Sequence, residues 1–143
     1  MELTNNIIEA VCTIFDVTPE SVYGVSRVNK IVLARHSIFL ILKRNTNLTL
    51  GEIGEVLRPG GKKLDHATVI HGINAAEAYL TYDGNYIKKY NVATDIVTEI
   101  IDRYYKKIVS ELRERMEEEI LALLSDSTTN ELIKYYQIMG IEG

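Results

Sequence analysis

At 143 residues, 46% hydrophobic and 25% charged, the chain has room for one ordinary globular domain with an appendage, and not comfortably for two. Its net charge of -4 argues against a uniformly basic nucleic-acid binder, and no run approaches the ~18 apolar residues that a membrane span needs. Its single cysteine, Cys12, lies in the apolar run "IIEAVCTIF", which rules out an intramolecular disulfide and predicts a small buried hydrophobe. With no charged leader, apolar stretch and small-residue cleavage site at the N-terminus, a soluble, cytoplasmic protein is expected.

Residues 3 to 15 place Leu3, Ile7, Ile8, Val11 and Phe15 at helical spacing, so the chain opens with an amphipathic helix. In "VTPESV", Thr18 is an N-cap and Pro19 takes the first helical position of a short second helix ending near Gly24. From about Val28 to Thr46 the chain is apolar around most of a helix, punctuated by Arg35, His36, Lys43 and Arg44, as the central helix of a small bundle is. Thr49 with Glu52 then forms a capping box ahead of Ile53, Val56 and Leu57, and Pro59, Gly60 and Gly61 stop that helix. Asp65 is the N-cap of the next, whose inward stripe is Val69, Ile70, Ile73 and Ala76, ending near Leu80. Two helices joined by a turn, the second beginning with short polar side chains, have the organisation of a helix-turn-helix.

After "TYDGNY" the chain reads helical again from Ile87, with paired apolar positions at Ile96/Val97, Ile100/Ile101, Tyr104/Tyr105 and Ile108/Val109. Leu112, Met116, Ile120 and Leu124 continue at a spacing that drifts ~40° per step, so a long helix that bends around its bundle or meets more than one partner is expected. "SDSTTN" ends it, and "ELIKYYQIM" at 131 to 139 is a short final helix. The fold class is therefore all-α: a small helical bundle with a helix-turn-helix over 1 to 82, and a long acidic helical extension over 83 to 143.

Charge is unevenly spread. Between Tyr23 and Leu64, Arg27, Lys30, Arg35, Lys43, Arg44, Arg58, Lys62 and Lys63 face only Glu52 and Glu55, while acids predominate in the C-terminal third. Such asymmetry marks a polyanion-binding face or, on the bland view, a solvated surface.

"TNLTLGEIGEVL", a glycine-bearing turn and "DHATVIHG" together resemble the C-terminal DNA-binding domain of the bacterial replication initiator DnaA, a helical domain of the Trp-repressor type. The resemblance runs from near "VCTIFDVTPESV" to about residue 80. It implies that Asp65, His66, Ala67 and Thr68 present the first turn of a recognition helix to the major groove, with His71 one turn later. By the same resemblance Arg35, His36 and Lys43 approach DNA from the long helix, and Thr49 and Leu50 lie next to phosphates. The segment "SRVNK", with Arg27, Asn29 and Lys30, matches a basic loop that enters the minor groove. The chemistry fits these places: Asp accepts from a cytosine amino group, His donates to guanine, and Thr or Ala methyls pack on thymine. Here the turn "RPGGKKLDH" is longer than the family's, Leu64 stands where an arginine is usual and Ala67 where a threonine is, and Lys62 or Lys63 is the candidate to replace that arginine's phosphate or guanine contact, without its bidentate fork. These differences fall on the reading residues, so the target sequence is left open.

No G-x-x-x-x-G-K-[ST] loop occurs, and the resemblance does not extend to the initiator's nucleotide chemistry. His36, His66 and His71 have neither the spacing nor the companions of a metal site, and Asp65 beside His66 lacks a nucleophile or second carboxylate; no catalysis, metal or cofactor is expected. Tyr79, Tyr82, Tyr86, Tyr90, Tyr104, Tyr105, Tyr135 and Tyr136 read as packing residues. The expected partner is double-stranded DNA, read with sequence preference in the regulation of replication or transcription in a bacterium or a virus-infected bacterial cell. Residues 84 to 143 are the candidate surface for a homodimer or a protein partner. The rival is a non-catalytic interaction or structural protein that keeps the fold without reading DNA.

Overall fold

The structure, a computed structural model, describes residues 2–125 with Lys134 and Gln137. These residues form six helices and no strand: α1 (Glu2–Ile14), α2 (Pro19–Tyr23), α3 (Asn29–Asn45), α4 (Leu50–Val56), α5 (His66–Tyr82) and α6 (Gly84–Leu124). The short helix expected over 131 to 139 lies, Lys134 and Gln137 apart, outside the described residues.

Local chemistry sets most of the helix ends. Thr18 accepts a hydrogen bond from the Ser21 amide at 3.2 Å with Pro19 opening α2. At α4 the capping box is complete, the Thr49 hydroxyl accepting from the Glu52 amide and the Glu52 carboxylate from the Thr49 amide. Each such cap satisfies amides that have no partner within the helix, and losing one costs about 1 kcal/mol. α1 ends at a turn in which Asp16 adopts a φ of 55°, a left-handed conformation that Asp tolerates better than most residues.

α3 is the central helix. Ser37, Ile38, Phe39, Leu40, Ile41 and Leu42 are buried in succession, which requires neighbours on every side, and α1, α2, α4 and α5 all pack on it. α1 contributes Ile7, Ile8, Val11 and Cys12, and burial pushes the Cys12 thiol up to about 11, so it is protonated and inert at neutral pH. Gly72 lets α5 lie close on α3: a Cβ there would meet the Phe39 ring and come within 2.8 Å of His36 Cδ2.

The break expected around "TYDGNY" shrinks to one residue. The Asp83 amide donates to the Tyr79 carbonyl and closes α5, while its carboxylate accepts from the Tyr86 amide at 3.1 Å and opens α6. α6 therefore begins at Gly84 rather than near Ile87. Tyr86, Tyr90, Ala93 and Val97 of α6 are buried in the same core, with a 2.7 Å hydrogen bond between Tyr86 and Ser37 and one from Arg44 to the Tyr90 hydroxyl. One compact unit runs from Met1 to Asp102 and a second from Arg103 onward.

Candidate nucleic-acid interface

The turn between α4 and α5 is held by backbone contact. The Leu64 amide donates to the Gly54 carbonyl at 3.2 Å, and a Cβ on Gly54 would collide with the Leu64 carbonyl, so only glycine lets the turn close on α4. Gly60, at φ 74°, supplies the left-handed step that the longer loop needs. Lys62 and Lys63 stand exposed on this turn.

At the start of α5, Asp65 accepts from the Thr68 amide at 2.7 Å, and hydrogen bonding from Thr68 holds its carboxyl below the usual carboxylate range. Asp65, His66, Ala67 and Thr68 are all exposed. The fold brings His66 against the first turn of α4: a Cβ built on Gly51 would lie 3.2 Å from His66 Nε2, 3.9 Å from Thr49 Oγ1 and 4.0 Å from Lys63 Nζ. A cation, an imidazole and a hydroxyl thus converge beside one glycine. Such a cluster can hold a phosphate with Lys63 and the α4 amides while offering donors from His66 to a base edge.

The other expected residues sit differently. Leu50 is half-buried and packs against the core. Arg27, Asn29 and Lys30 are exposed, and Lys30 makes a solvent-screened ion pair with Asp16 at 3.7 Å. Lys43 is exposed in the last turn of α3 beside Arg44, whose guanidinium pairs with Glu77 at 3.9 Å.

Arg35 turns inward. Its guanidinium donates to the carbonyls of Val22, Ser26, Gly24 and Ser21 at 3.0 to 3.5 Å, so its donors brace the loop that carries Arg27. Arg35→Met is expected to lose about 1.5–3 kcal/mol in chemical denaturation, because hydrogen bonds from a charged donor are the stronger kind; an unchanged midpoint would contradict the bracing role.

His36 lies between Phe39, 6.2 Å away ring to ring, and His71, 6.1 Å away edge-on, with its Nδ1 buried and without a hydrogen-bond partner. Burial, then His71 and Arg35, lower its pKa to about 4. A base whose folded pKa lies below its unfolded value of 6.5 is neutral in the fold and takes up a proton on unfolding. Stability is therefore expected to fall as pH drops from about 6.5 to about 4, and His36→Phe to flatten that slope, as thermal melts across this range would record. His71 is exposed.

Arg58 escaped the residue-by-residue reading although it belongs to the basic stretch. Its charge lowers the Arg35 guanidinium pKa after burial does, and its Nε is buried without a hydrogen-bond partner. Only the folded turn, which returns Arg58 towards α3, reveals it. Among the described residues no group of three or more His, Cys, Asp or Glu is placed to hold a metal ion, and no helix is long and apolar enough to cross a membrane.

Residues 4–75 match the family described as bacterial dnaA protein helix-turn-helix. Chromosomal replication initiator proteins DnaA are similar to part of the chain. That of Thermomicrobium roseum is 38% identical over 77 residues, 54% of this chain and 16% of that protein. That of Kosmotoga olearia is 35% identical over 88 residues, 62% and 18%, and that of Herpetosiphon aurantiacus 34% identical over 79, 55% and 16%. The chain thus spans under a fifth of the length of these relatives.

Proposed function

Because the chain belongs to the bacterial DnaA helix-turn-helix family, we propose that it binds double-stranded DNA with sequence preference, without catalysing a reaction, in the control of replication or transcription. In this reading α5 enters the major groove by its N-terminal turn. Asp65, His66, Ala67 and Thr68 face base edges, with His71 a turn further along, and Thr49, Leu50, Lys62 and Lys63 hold the flanking phosphates. Arg27, Asn29 and Lys30 reach the adjacent minor groove, and Lys43 adds a phosphate contact. Arg35 and His36 serve through the loop and helix they support. The observation that carries the reading is the convergence of Lys63, His66 and Thr49 around Gly51, at the junction where the turn meets both helices.

Phosphate contacts supply affinity and base contacts supply discrimination, so the two kinds of residue separate experimentally. The test is selection from a randomised duplex pool at near-physiological salt, where non-specific binding is weak. Enrichment of a short motif supports a sequence reader. Folded protein that retains no duplex would overturn the proposal and leave a protein-interaction role for the fold.

We further propose a second copy of the chain or another protein as the partner of residues 84 to 143, and for the chain a bacterial cytoplasmic setting, which extends to the infected bacterial cell. The support is the bacterial source of the relatives and the exposed apolar side chains of α6.

A further inference from the structure

Beyond Arg103, α6 carries a surface of another kind. Tyr105, Val109, Leu112, Met116, Ile120 and Leu123 are exposed large apolar residues or lie among them, Met116 at 61% and Leu123 at 56%. They follow one another at steps of four, three, four, four and three residues, so the segment from Leu112 to Leu123 spans one 11-residue repeat. Such a repeat has ~3.67 residues per turn and stays on one side of a nearly straight helix, whereas a strict interval of four drifts away. Val109, Leu112, Met116 and Ile120 line a shallow groove with Arg113 and Glu117 at its rim. A contiguous exposed apolar strip with a charged rim is the signature of an interaction surface.

We propose that this strip pairs with the same strip of a second copy, the two α6 helices running antiparallel and meeting near Leu112. The charge pattern selects the occupant and its direction. From Arg103 on, Arg103, Lys106 and Lys107 against Glu111 precede the centre, and Glu114, Glu117, Glu118 and Glu119 against Arg113 and Arg115 follow it, so the first side is net basic and the second net acidic. In an antiparallel pair the basic end of each helix lies beside the acidic end of the other, twice over by symmetry. Lys106 and Glu117 stand eleven residues apart and hence on the same edge of the strip, where antiparallel partners face one another. In a parallel pair the glutamates of both copies would share one height and the cations another, and like charges at close range are repulsive. The apolar residues follow the same symmetry: Tyr105 meets Ile120 of the second copy, and Val109 meets Met116.

The pairing does not rest on DNA binding and is tested without DNA. Light scattering and sedimentation of the full chain at tens of micromolar are expected to give twice the chain mass, and Val109→Glu with Met116→Glu to return a monomer whose thermal transition is retained. For direction, Tyr105→Cys protein mixed with Ile120→Cys protein under mild oxidation is expected to give the mixed disulfide at least tenfold over the Tyr105→Cys self-disulfide; buried Cys12 is shielded from the reaction. A monomeric wild type, including one whose strip is covered by residues 126–143 of its own chain, overturns the proposal. So does a dimer indifferent to the two glutamates, and self-linked Tyr105→Cys overturns the antiparallel direction. A dimer that enriches no duplex sequence supports the pairing and counts against the DNA reading alone.

Discussion

Phe39→Ala will lose about 3–5 kcal/mol of folding stability, enough to bring a domain of this size close to its unfolding threshold. Phe39 is 1% exposed and its ring fills the space that Gly72 leaves by lacking a Cβ, with His36 stacked on it. Truncation opens a void between α3 and α5, the pair of helices that positions the start of α5, so DNA affinity should fall with stability unless the protein is kept well below its melting temperature. Gly72→Ala attacks the same contact from the other side by overpacking it, at a cost of about 1–3 kcal/mol. In the Phe39→Ala background that cost should largely vanish, because the added methyl then enters a cavity. Urea denaturation of the four proteins gives the coupling directly, and additive losses would show that the two residues do not share one packing site.

His66→Ala will weaken binding to the selected duplex by about 1–3 kcal/mol, roughly 5- to 150-fold, with little change on unrelated duplex. Lys43→Ala will weaken every sequence alike and reduce the salt slope by about one unit. The contrast follows from position: His66 Nε2 sits at the junction of α4 and α5, whereas Lys43 is an exposed cation on α3. Neither side chain is part of the core, so melting temperatures should stay unchanged. Equal losses on all sequences in both variants would refute the division between reading and anchoring. Asp65 belongs to both tasks, since one carboxylate oxygen caps α5 through the Thr68 amide. Its depressed pKa keeps that cap ionised through neutral pH and lets it weaken only as pH falls below the ordinary carboxylate range.

What the amino-acid sequence revealed in advance was whatever short-range chemistry decides. Thr18, Thr49 and Asp65 cap the expected helices because a cap needs only a hydroxyl or carboxylate three residues before an amide. The central place of α3 followed from its apolar circumference. Long-range events were not legible. Arg35 reads in the sequence as a cation of the long helix that approaches DNA, and only the fold brings four carbonyls of residues 21 to 26 onto its guanidinium. His36 was a groove-facing candidate, yet its surroundings are Phe39, Gly72 and His71, which lie on both sides of the α3 and α5 contact. Arg58 likewise gained its significance from the path of the turn. The tyrosines divided as packing would have them at Tyr86 and Tyr90, while Tyr82 and Tyr105 are exposed, and Tyr135 and Tyr136 lie outside the described residues.

Asp83 ends one helix with its amide and begins the next with its carboxylate. A joint of one residue has no slack, so α5 and the opening turn of α6 share a pivot and a rotation of one is felt by the other. Thermodynamic reciprocity then sets a rule for the proposed sites: by whatever factor an occupant of α6 changes the affinity of α5 for a duplex, the duplex changes the affinity for that occupant by the same factor. Two glycines inserted after Asp83 would part its two roles, taking its carboxylate away from the Tyr86 amide, while Tyr86, Tyr90, Ala93 and Val97 would still tie α6 to the core.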